Sequence, residues 1–319
     1  MKEILYIIVP CYNEEKVLPL TYSLFLDVLN NLITNNKISP ESKILFVDDG
    51  SFDNTWEIIK DLSNKFKQIE GIQQSRNRGH QNAILAGLLD SIDKCHVTVT
   101  IDCDGQDDIT VIEQMIDRYH EGFDIVYGVR DNRDSDSLFK KYTAQCYYYL
   151  LKKLGADIVF NHADYRLMSK TAVEGLSKFK EVNLFLRGLI PLVGYKSTCV
   201  FYTRTKRLAG LSHYPLKKMI ALAIDGVTSL STRPLRAITM MGLIVSCFSF
   251  IFIVWVMIGY LGGHTILGWA SLISALCFIG GIQLICIGII GEYVGKIYLE
   301  VKSRPRFIIS DRTTHDKTS

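Results

Sequence analysis

The segment His96-Val-Thr-Val-Thr-Ile-Asp-Cys-Asp-Gly-Gln-Asp-Asp108 joins an apolar, β-branched run to a cluster of carboxylates. The run predicts a short buried strand, and the acidic residues after it begin with Asp102 and Asp104. Clustered carboxylates are costly to bury and repel one another unless a cation lies between them. Such oxygen ligands suit Mg²⁺ or Mn²⁺, which complete their coordination with water and a diphosphate. A solvated acidic turn is the alternative that this segment alone leaves open.

Similar apolar runs on both sides of this segment alternate with helical stretches. Strands are predicted at Ile4–Val9, Lys43–Val47, Ile69–Gln74, Val97–Ile101 and Asp124–Tyr127, and helices near Glu14–Asn31, Asn54–Phe66, Gln81–Ser91 and Ile109–Glu121. This order predicts an α/β fold with a largely parallel sheet and helices on both faces. Ligands of such sheets bind beyond the carboxyl ends of the strands. The polar motifs expected to converge there are Pro10–Glu15, Asp48–Ser51, Ser75–His80, Asp102–Asp108 and Arg130.

The composition excludes several classes of protein. A formal net charge of +3 over 319 residues is too small to indicate a nucleic-acid partner. The eight cysteines occur singly, without zinc spacing, which is typical of reduced thiols in the cytosol or in a membrane. The apolar run at Ile4–Val9 is too short for a signal peptide, so no secretion is expected.

The C-terminal third carries two long uncharged runs, from Ile238 to Gly263 and from Ile266 to Gly291. A helix needs about 20 apolar residues to cross a bilayer, so the runs predict a transmembrane hairpin with spans near 238–261 and 267–290. Lysines and arginines precede the first run and follow the second, whereas the turn between them has none. The positive-inside rule therefore predicts that both ends of the hairpin are cytoplasmic.

Three other segments give weaker signals. The pattern from Asp134 to about Pro215 is mixed, although Leu138–Leu154 reads as a helix with an aromatic face between lysine pairs. That helix suits a membrane interface or ordinary packing equally well. Leu216–Leu230 is a second candidate to lie on the membrane, and the polar tail Asp311–Ser319 is expected to be disordered.

Basic side chains are expected opposite the acidic ones, and they are Arg76, Arg78, Arg130, Arg204, Lys206 and Arg207. The guanidinium groups of the arginines suit phosphate recognition. Near the N-terminus, Tyr12 could stack on a base, and Asp48 and Asp49 could hold a ribose or a base N–H. An acidic metal site, a cationic site and a membrane hairpin in one chain suit a sugar nucleotide and a lipid phosphate as substrates.

Six motifs together resemble family 2 glycosyltransferases of the polyprenyl-phosphate type, which include bactoprenol glucosyltransferases and dolichol-phosphate mannose synthases. They are Pro10-Cys-Tyr-Asn-Glu-Glu, Val47-Asp-Asp-Gly-Ser, Arg76-Asn-Arg-Gly-His-Gln-Asn-Ala, Asp102-Cys-Asp-Gly-Gln, Arg207-Leu-Ala-Gly-Leu-Ser-His-Tyr and Gly291-Glu-Tyr-Val-Gly-Lys-Ile-Tyr. The resemblance extends to about Ile309. It implies a GT-A fold and inversion at the anomeric carbon.

The resemblance also implies roles for residues. Pro10, Tyr12, Glu14 and Asp49 would bind the nucleotide, Asp102, Asp104 and Gln106 would hold Mg²⁺ or Mn²⁺, and Arg130 and Arg207 would bind the acceptor phosphate. Asp102, Asp104, Arg130 and Arg207 are the expected catalytic set, and Arg76, His80, Asp164, Arg204 and Ser212 complete the substrate-binding set. His213 departs from the lysine that many relatives carry. Asp164 would orient the acceptor or Arg166, or form a structural salt bridge.

The expected protein is a membrane-anchored enzyme that transfers a hexose from a UDP-sugar, glucose or N-acetylglucosamine, to undecaprenyl phosphate at the cytoplasmic face of a bacterial inner membrane. Its expected parts are a catalytic domain (1–210), a juxtamembrane segment (211–235), a hairpin (236–291) and a cytoplasmic tail (292–319). A homo-oligomer is a hypothesis. The alternatives are GDP-mannose transfer and a non-catalytic membrane scaffold; a processive polysaccharide synthase would need more membrane helices.

Overall fold

The computed structural model describes residues 2–130, 162–203, 233–261 and 269–313. Within them, eight strands form one sheet in the order β7-β5-β6-β4-β1-β2-β3-β8. The strands are β1 Leu5–Cys11, β2 Lys43–Asp48, β3 Ile69–Gln74, β4 Val97–Thr100, β5 Ile125–Arg130, β6 His162–Ser169, β7 Ser197–Tyr202 and β8 Ile309–Arg312. The helices are α1 Leu18–Thr34, α2 Thr55–Lys65, α3 His80–Ser91, α4 Val111–His120, α5 Lys170–Ser177, α6 Leu186–Leu192, α7 Arg233–Leu261 and α8 Trp269–Lys302.

The sheet is largely parallel, as the sequence predicts. β4, β1, β2 and β3 pair in parallel in that order, and β5 pairs in parallel with β7. β6 runs antiparallel between β4 and β5, and β8 runs antiparallel along β3. The five strands predicted before residue 131 and the four helices between them are all present, with ends shifted by a few residues.

Each central strand is buried on both faces, which explains its continuous apolar sequence. In β1, Ile7 and Val9 pack into a core with α1, α2 and α4, whereas Tyr6 and Ile8 pack into a second core with α3, α5 and α6. This alternation follows from the two-residue period of a strand. The sheet therefore has helices on both faces.

The antiparallel strand β6 lies in the region whose sequence pattern is mixed. It carries Arg166, fully buried and opposite Thr100 of β4. A charged residue inside a central strand breaks the apolar pattern by which buried strands are recognised. The predicted helix Leu138–Leu154 and the candidate membrane-surface segment Leu216–Leu230 lie outside the described residues.

The C-terminal part consists of two long helices, α7 and α8, at the positions of the two uncharged runs. Within the described residues, Phe278–Lys302 is the one segment that is long and apolar enough to span a membrane. α8 continues to Lys302, beyond the predicted end of the span near residue 290. The crossing of a membrane by each of the two helices remains a prediction.

The chain returns to the sheet after α8, which corrects the expectation of a disordered tail from Asp311. Asp311 and Arg312 belong to β8. The Thr313 N–H donates to the Gly71 carbonyl, and the Gly71 N–H donates to the Thr313 hydroxyl oxygen. Asp311 also accepts a hydrogen bond from Trp56 Nε1 at 3.2 Å. These partners lie more than 200 residues away along the chain, so local polarity could not reveal the strand.

Candidate active site

The turns after β1, β2 and β4 lie next to one another because these strands are neighbours and run in the same direction. Asp164, near the start of the antiparallel β6, lies at the same edge, since Arg166 is already opposite the last residue of β4. His80, the first residue of α3, is within 3.5 Å of both Asp102 and Asp164. The edge therefore brings together residues from the Asp49, His80, Asp102 and Asp164 motifs.

Asp49 organises the backbone between β2 and α3. It is buried, and its two carboxylate oxygens accept the N–H groups of Arg78 at 2.8 Å and Gly79 at 2.9 Å. Burial raises the pKa of Asp49, and these hydrogen bonds only partly offset the effect. The next residue, Gly50, has φ +66°, and a Cβ there would lie 2.5 Å from the Arg76 carbonyl carbon, so only glycine fits.

The Tyr12–Glu15 turn is hydrogen-bonded to the turn after β2. The Asn13 N–H donates to Ser51 Oγ at 2.9 Å, and Asn13 Oδ1 accepts the Phe52 N–H at 3.0 Å. Glu14 is anchored through its N–H to Thr55 Oγ1. Tyr12 is 39% exposed, so its ring is accessible to a base, whereas Pro10 is buried at the end of β1 and shapes the strand end instead.

We call Asp102, Asp104, Asp107 and Asp164 the acidic cluster. Burial raises the pKa of Asp102, and the three other carboxylates raise it further, whereas His80 lowers it. Asp102 Oδ1 lies 3.3 Å from His80 Nε2 but accepts no hydrogen bond within the described residues. Asp104 is buried and accepts the Gln106 N–H at 3.1 Å. The cluster therefore contains one buried carboxylate oxygen, Asp102 Oδ1, that has no hydrogen-bond donor among the described residues, and such an oxygen favours a bound cation.

The cluster fits an open site for a divalent cation. In the described part of the chain, no three His, Cys, Asp or Glu side chains lie close enough together to hold a metal ion by themselves. Asp102 and Asp104 would supply two carboxylates, and the half-buried Gln106 follows Asp104 by two positions. Mg²⁺ characteristically takes one or two protein carboxylates and fills its remaining positions with water and substrate phosphate.

His80 is held as a cation between two carboxylates. Burial lowers its pKa, but Asp164 and Asp102 outweigh that effect and raise the pKa to about 9. Its side chain is nevertheless 40% exposed, so a bound substrate can reach the ring. A charged imidazole at this edge is suited to hydrogen-bond a sugar hydroxyl or a phosphate oxygen.

Asp164 is the centre of an ion-pair network. It accepts hydrogen bonds from Arg166 Nη2 at 2.6 Å and from Arg187 Nε and Nη2 at 3.2 and 3.1 Å. Although burial opposes ionisation, these cations and His80 hold the pKa of Asp164 well below its usual range. Of the roles left open for Asp164, the geometry shows the salt bridge with Arg166. Arg187 was missed in the sequence because it lies in α6, outside every polar motif.

A second group of side chains surrounds Arg130 at the end of β5. The Tyr202 hydroxyl donates to Asp107 Oδ1 at 2.7 Å, and Arg130 lies 3.5 Å from the same oxygen. Burial lowers the pKa of Arg130, but Asp107 and Tyr202 more than compensate and raise it. Tyr202 was also missed, because only the β5–β7 register places it beside Arg130.

The remaining predicted residues are outside this network or outside the described chain. Arg76 is exposed. Arg204, Arg207 and Ser212 lie outside the described residues, as does His213. Their roles stay predictions.

The chain matches two family models: Glycosyl transferase family 2 over residues 6–176 and the GtrB C-terminal hairpin over 233–297. An uncharacterized glycosyltransferase, YkoT, of Bacillus subtilis is 47% identical over 96% of this chain and 91% of its own. The bactoprenol glucosyl transferase of Shigella phage SfX is 38% identical over 96% of this chain and 98% of its own.

Among solved structures, glucosyl-3-phosphoglycerate synthase from Mycobacterium tuberculosis, in complex with Mn²⁺, UDP-glucose and phosphoglyceric acid, is 16% identical with a TM-score of 0.45. The match covers 72% of this chain and 78% of that one. The expected GT-A type of sheet is confirmed by the family match and the observed topology. The chain belongs to glycosyl transferase family 2, carries the GtrB C-terminal hairpin, and is a glycosyltransferase.

Proposed function

We propose that this protein transfers a hexose from a UDP-sugar, glucose or N-acetylglucosamine, to undecaprenyl phosphate at the cytoplasmic membrane face. The observation that carries the proposal is the acidic cluster at the carboxyl edge of the sheet, in a chain that also carries a long apolar hairpin. A nucleotide sugar needs the acidic cluster, and a lipid-borne acceptor needs the hairpin. The bactoprenol glucosyl transferases that align over nearly the whole chain support the same acceptor.

The residues of the edge divide the chemistry among them. Tyr12 is accessible for the base, and the turn ordered by Asp49 borders the nucleotide. Asp102, Asp104 and Gln106 would hold Mg²⁺ or Mn²⁺. When bound, the cation would offset the charge that develops on the departing diphosphate. Arg130, and Arg207 by resemblance, would attract the acceptor phosphate.

The reaction needs no side chain as a general base. The second pKa of a phosphomonoester is about 6, so the acceptor is already ionised at neutral pH. An acceptor phosphate oxygen attacks the anomeric carbon, the carbon–oxygen bond to the nucleoside diphosphate breaks with its electron pair, and the anomeric configuration inverts. The protein's task is to hold two anionic substrates together.

The course of the chain after the hairpin supports a hairpin that enters and leaves the membrane on one side. β8 follows α8 and pairs with β3 of the catalytic sheet. We therefore propose a catalytic domain within 1–210, a juxtamembrane segment at 211–235, a two-span hairpin at 236–291 and a cytoplasmic 292–319 that rejoins the sheet. A homo-oligomer assembled through the hairpin is part of the proposal.

Transfer of radiolabel tests the proposal. Purified protein with Mn²⁺ or Mg²⁺, undecaprenyl phosphate and, in turn, UDP-glucose, UDP-N-acetylglucosamine or GDP-mannose should yield label in the organic phase with one UDP-sugar. Asp104→Ala should abolish the signal, and the exposed Asp93→Ala should not. Label only from GDP-mannose would select the mannose alternative. No label from any donor, under conditions where native membranes are active, would favour the scaffold.

A further inference from the structure

Glu300 connects the end of α8 to the loop between α5 and α6. It lies in the last turn of α8, beyond the uncharged run, and is half-buried. Its carboxylate accepts the N–H of Val182 at 2.9 Å, the N–H of Asn183 at 2.8 Å and the Asn183 side-chain amide at 3.2 Å. A single side chain thus takes three hydrogen bonds from two consecutive loop residues.

The loop, residues 178–185, depends on this end of the hairpin for its position. Residues 181–185 are only half-buried, and a cavity of about 450 Å³ lies between the loop and the end of α8. Arg306, just after α8, donates to the Phe179 carbonyl at 3.0 Å. The hairpin end therefore holds the loop at two points, both through charge-assisted hydrogen bonds, which are the stronger kind.

The loop leads directly into α6, which reaches the acidic cluster. The N–H of Leu186 donates to Gln81 Oε1 at 2.8 Å in the first turn of α3. The next residue, Arg187, donates two hydrogen bonds to Asp164, which also contacts His80. Only three residues along the chain lie between Asn183, which Glu300 anchors, and Arg187.

We propose that Glu300 is a positioning residue that couples the membrane hairpin to the acidic cluster through Arg187. The inference rests on the proposed glycosyl transfer for its kinetic consequences. When Glu300 holds the loop, Arg187 is fixed against Asp164, and Asp164 and His80 keep their positions beside Asp102. A hairpin seated in the membrane thereby sets the geometry of the site on the sheet.

A double-mutant cycle tests this coupling in the full-length protein. Glu300→Ala should lower kcat about tenfold and leave the KM for the nucleotide sugar within about twofold, because only the geometry of the reacting groups changes. In an Arg187→Ala background, the same substitution should change kcat less than about twofold, since the residue it acts through is gone. Glu300→Gln keeps one acceptor oxygen and should recover part of the activity. Exposed Glu174→Ala on α5 is the matched control and should behave as wild type.

Two kinetic results would overturn the proposal. One is an unchanged kcat in Glu300→Ala. The other is a double variant whose loss of kcat equals the product of the two single losses, which is the result that a general stabilising role predicts. Hydrogen exchange separates this outcome from failure of the proposed function. Even if the wild type transferred no sugar, Glu300→Ala should speed exchange of the amides at 182–188, and Glu174→Ala should not. Equal exchange in both variants would also overturn the coupling.

Discussion

At the scale of single residues, two carboxylates of one cluster are in opposite energetic situations. Asp102 has a raised pKa because it is buried among Asp164, Asp107 and Asp104, with His80 as its compensating neighbour. Asp164 has a lowered pKa because Arg187, His80 and Arg166 together outweigh its burial. Folding therefore disfavours the charge on Asp102 and favours that on Asp164. We therefore expect substitution of Asp102 to lower activity without lowering stability, and substitution of Asp164 to lower stability.

Asp102→Asn should abolish transfer without loss of stability. The substitution removes a charge that folding disfavours, so the melting temperature should equal or exceed that of the wild type, while activity should fall at least about 100-fold because a cation ligand is lost. Thermal unfolding and the radiolabel assay on one preparation would check both parts. A melting temperature several degrees lower would contradict the account of repulsion.

Asp164→Asn should destabilise the protein strongly. Arg166 is fully buried, and its Nε and Nη1 have no hydrogen-bond acceptor among the described residues, so Asp164 is its essential counter-charge. Removing one partner of a buried ion pair costs about 3–5 kcal/mol. Chemical denaturation would measure the loss, with exposed Asp93→Asn as control. Wild-type stability in Asp164→Asn would mean that Arg166 finds another counter-charge.

At the scale of elements, β8 closes an edge that the parallel sheet leaves open. A bare edge strand exposes a row of unpaired backbone groups. β8 pairs with Ile72–Gln74 of β3, and the Trp56–Asp311 and Gly71–Thr313 hydrogen bonds extend the contact to α2 and past the strand end. The last described residues of the chain are therefore part of the same sheet as β1 to β7.

Deleting residues 309–319 should lower the melting temperature by several degrees and speed hydrogen exchange in β3. The reason is that β3 loses its edge partner and the hydrogen bond to Trp56 Nε1 is lost. Deletion of 314–319 alone retains β8 and serves as the matched control. Hydrogen exchange by mass spectrometry gives the readout, and identical protection of 72–75 in both variants would exclude a stabilising role for β8.

The β8 contact should weaken in acid. Burial raises the pKa of Asp90, but Lys94 and Arg312 outweigh burial and lower it. A lowered carboxyl pKa contributes stability that is fully present above about pH 4, the ordinary value, and disappears as the pH falls through the lowered pKa. Asp90→Asn should therefore be about 1 kcal/mol less stable at pH 7, with the difference from wild type vanishing in acid. A difference that is constant with pH would refute this assignment.

At the scale of the whole molecule, one sheet receives strands from both sides of the apolar hairpin. β1 to β7 precede α7, and β8 follows α8. Because β8 pairs with β3, the chain must come back after the hairpin to the same side of the membrane from which it entered. This requirement puts both ends of the hairpin on one side, and the positive-inside rule independently predicts that this side is the cytoplasm.

Reporter fusions should therefore give one pattern. Alkaline phosphatase fused after Gly263, in the turn between the two helices, should be active, and the same enzyme fused after Ser319 should be inactive. A green fluorescent protein fused after Ser319 should fluoresce. An inactive fusion at the turn would contradict two crossings, and an active phosphatase at Ser319 would contradict the cytoplasmic end.

The first five strands, the helices between them, the acidic motif and the uncharged runs could all be predicted from the sequence. These features are encoded locally, through residue periodicity and the chemistry of short motifs. Strands β6 and β8, and the contacts of Arg187, Tyr202 and Glu300, became visible only in the folded structure. Each depends on partners distant in sequence, such as Val182 for Glu300 or Trp56 for β8. A short window of residues carries no information about which distant backbone group or charge will lie beside it.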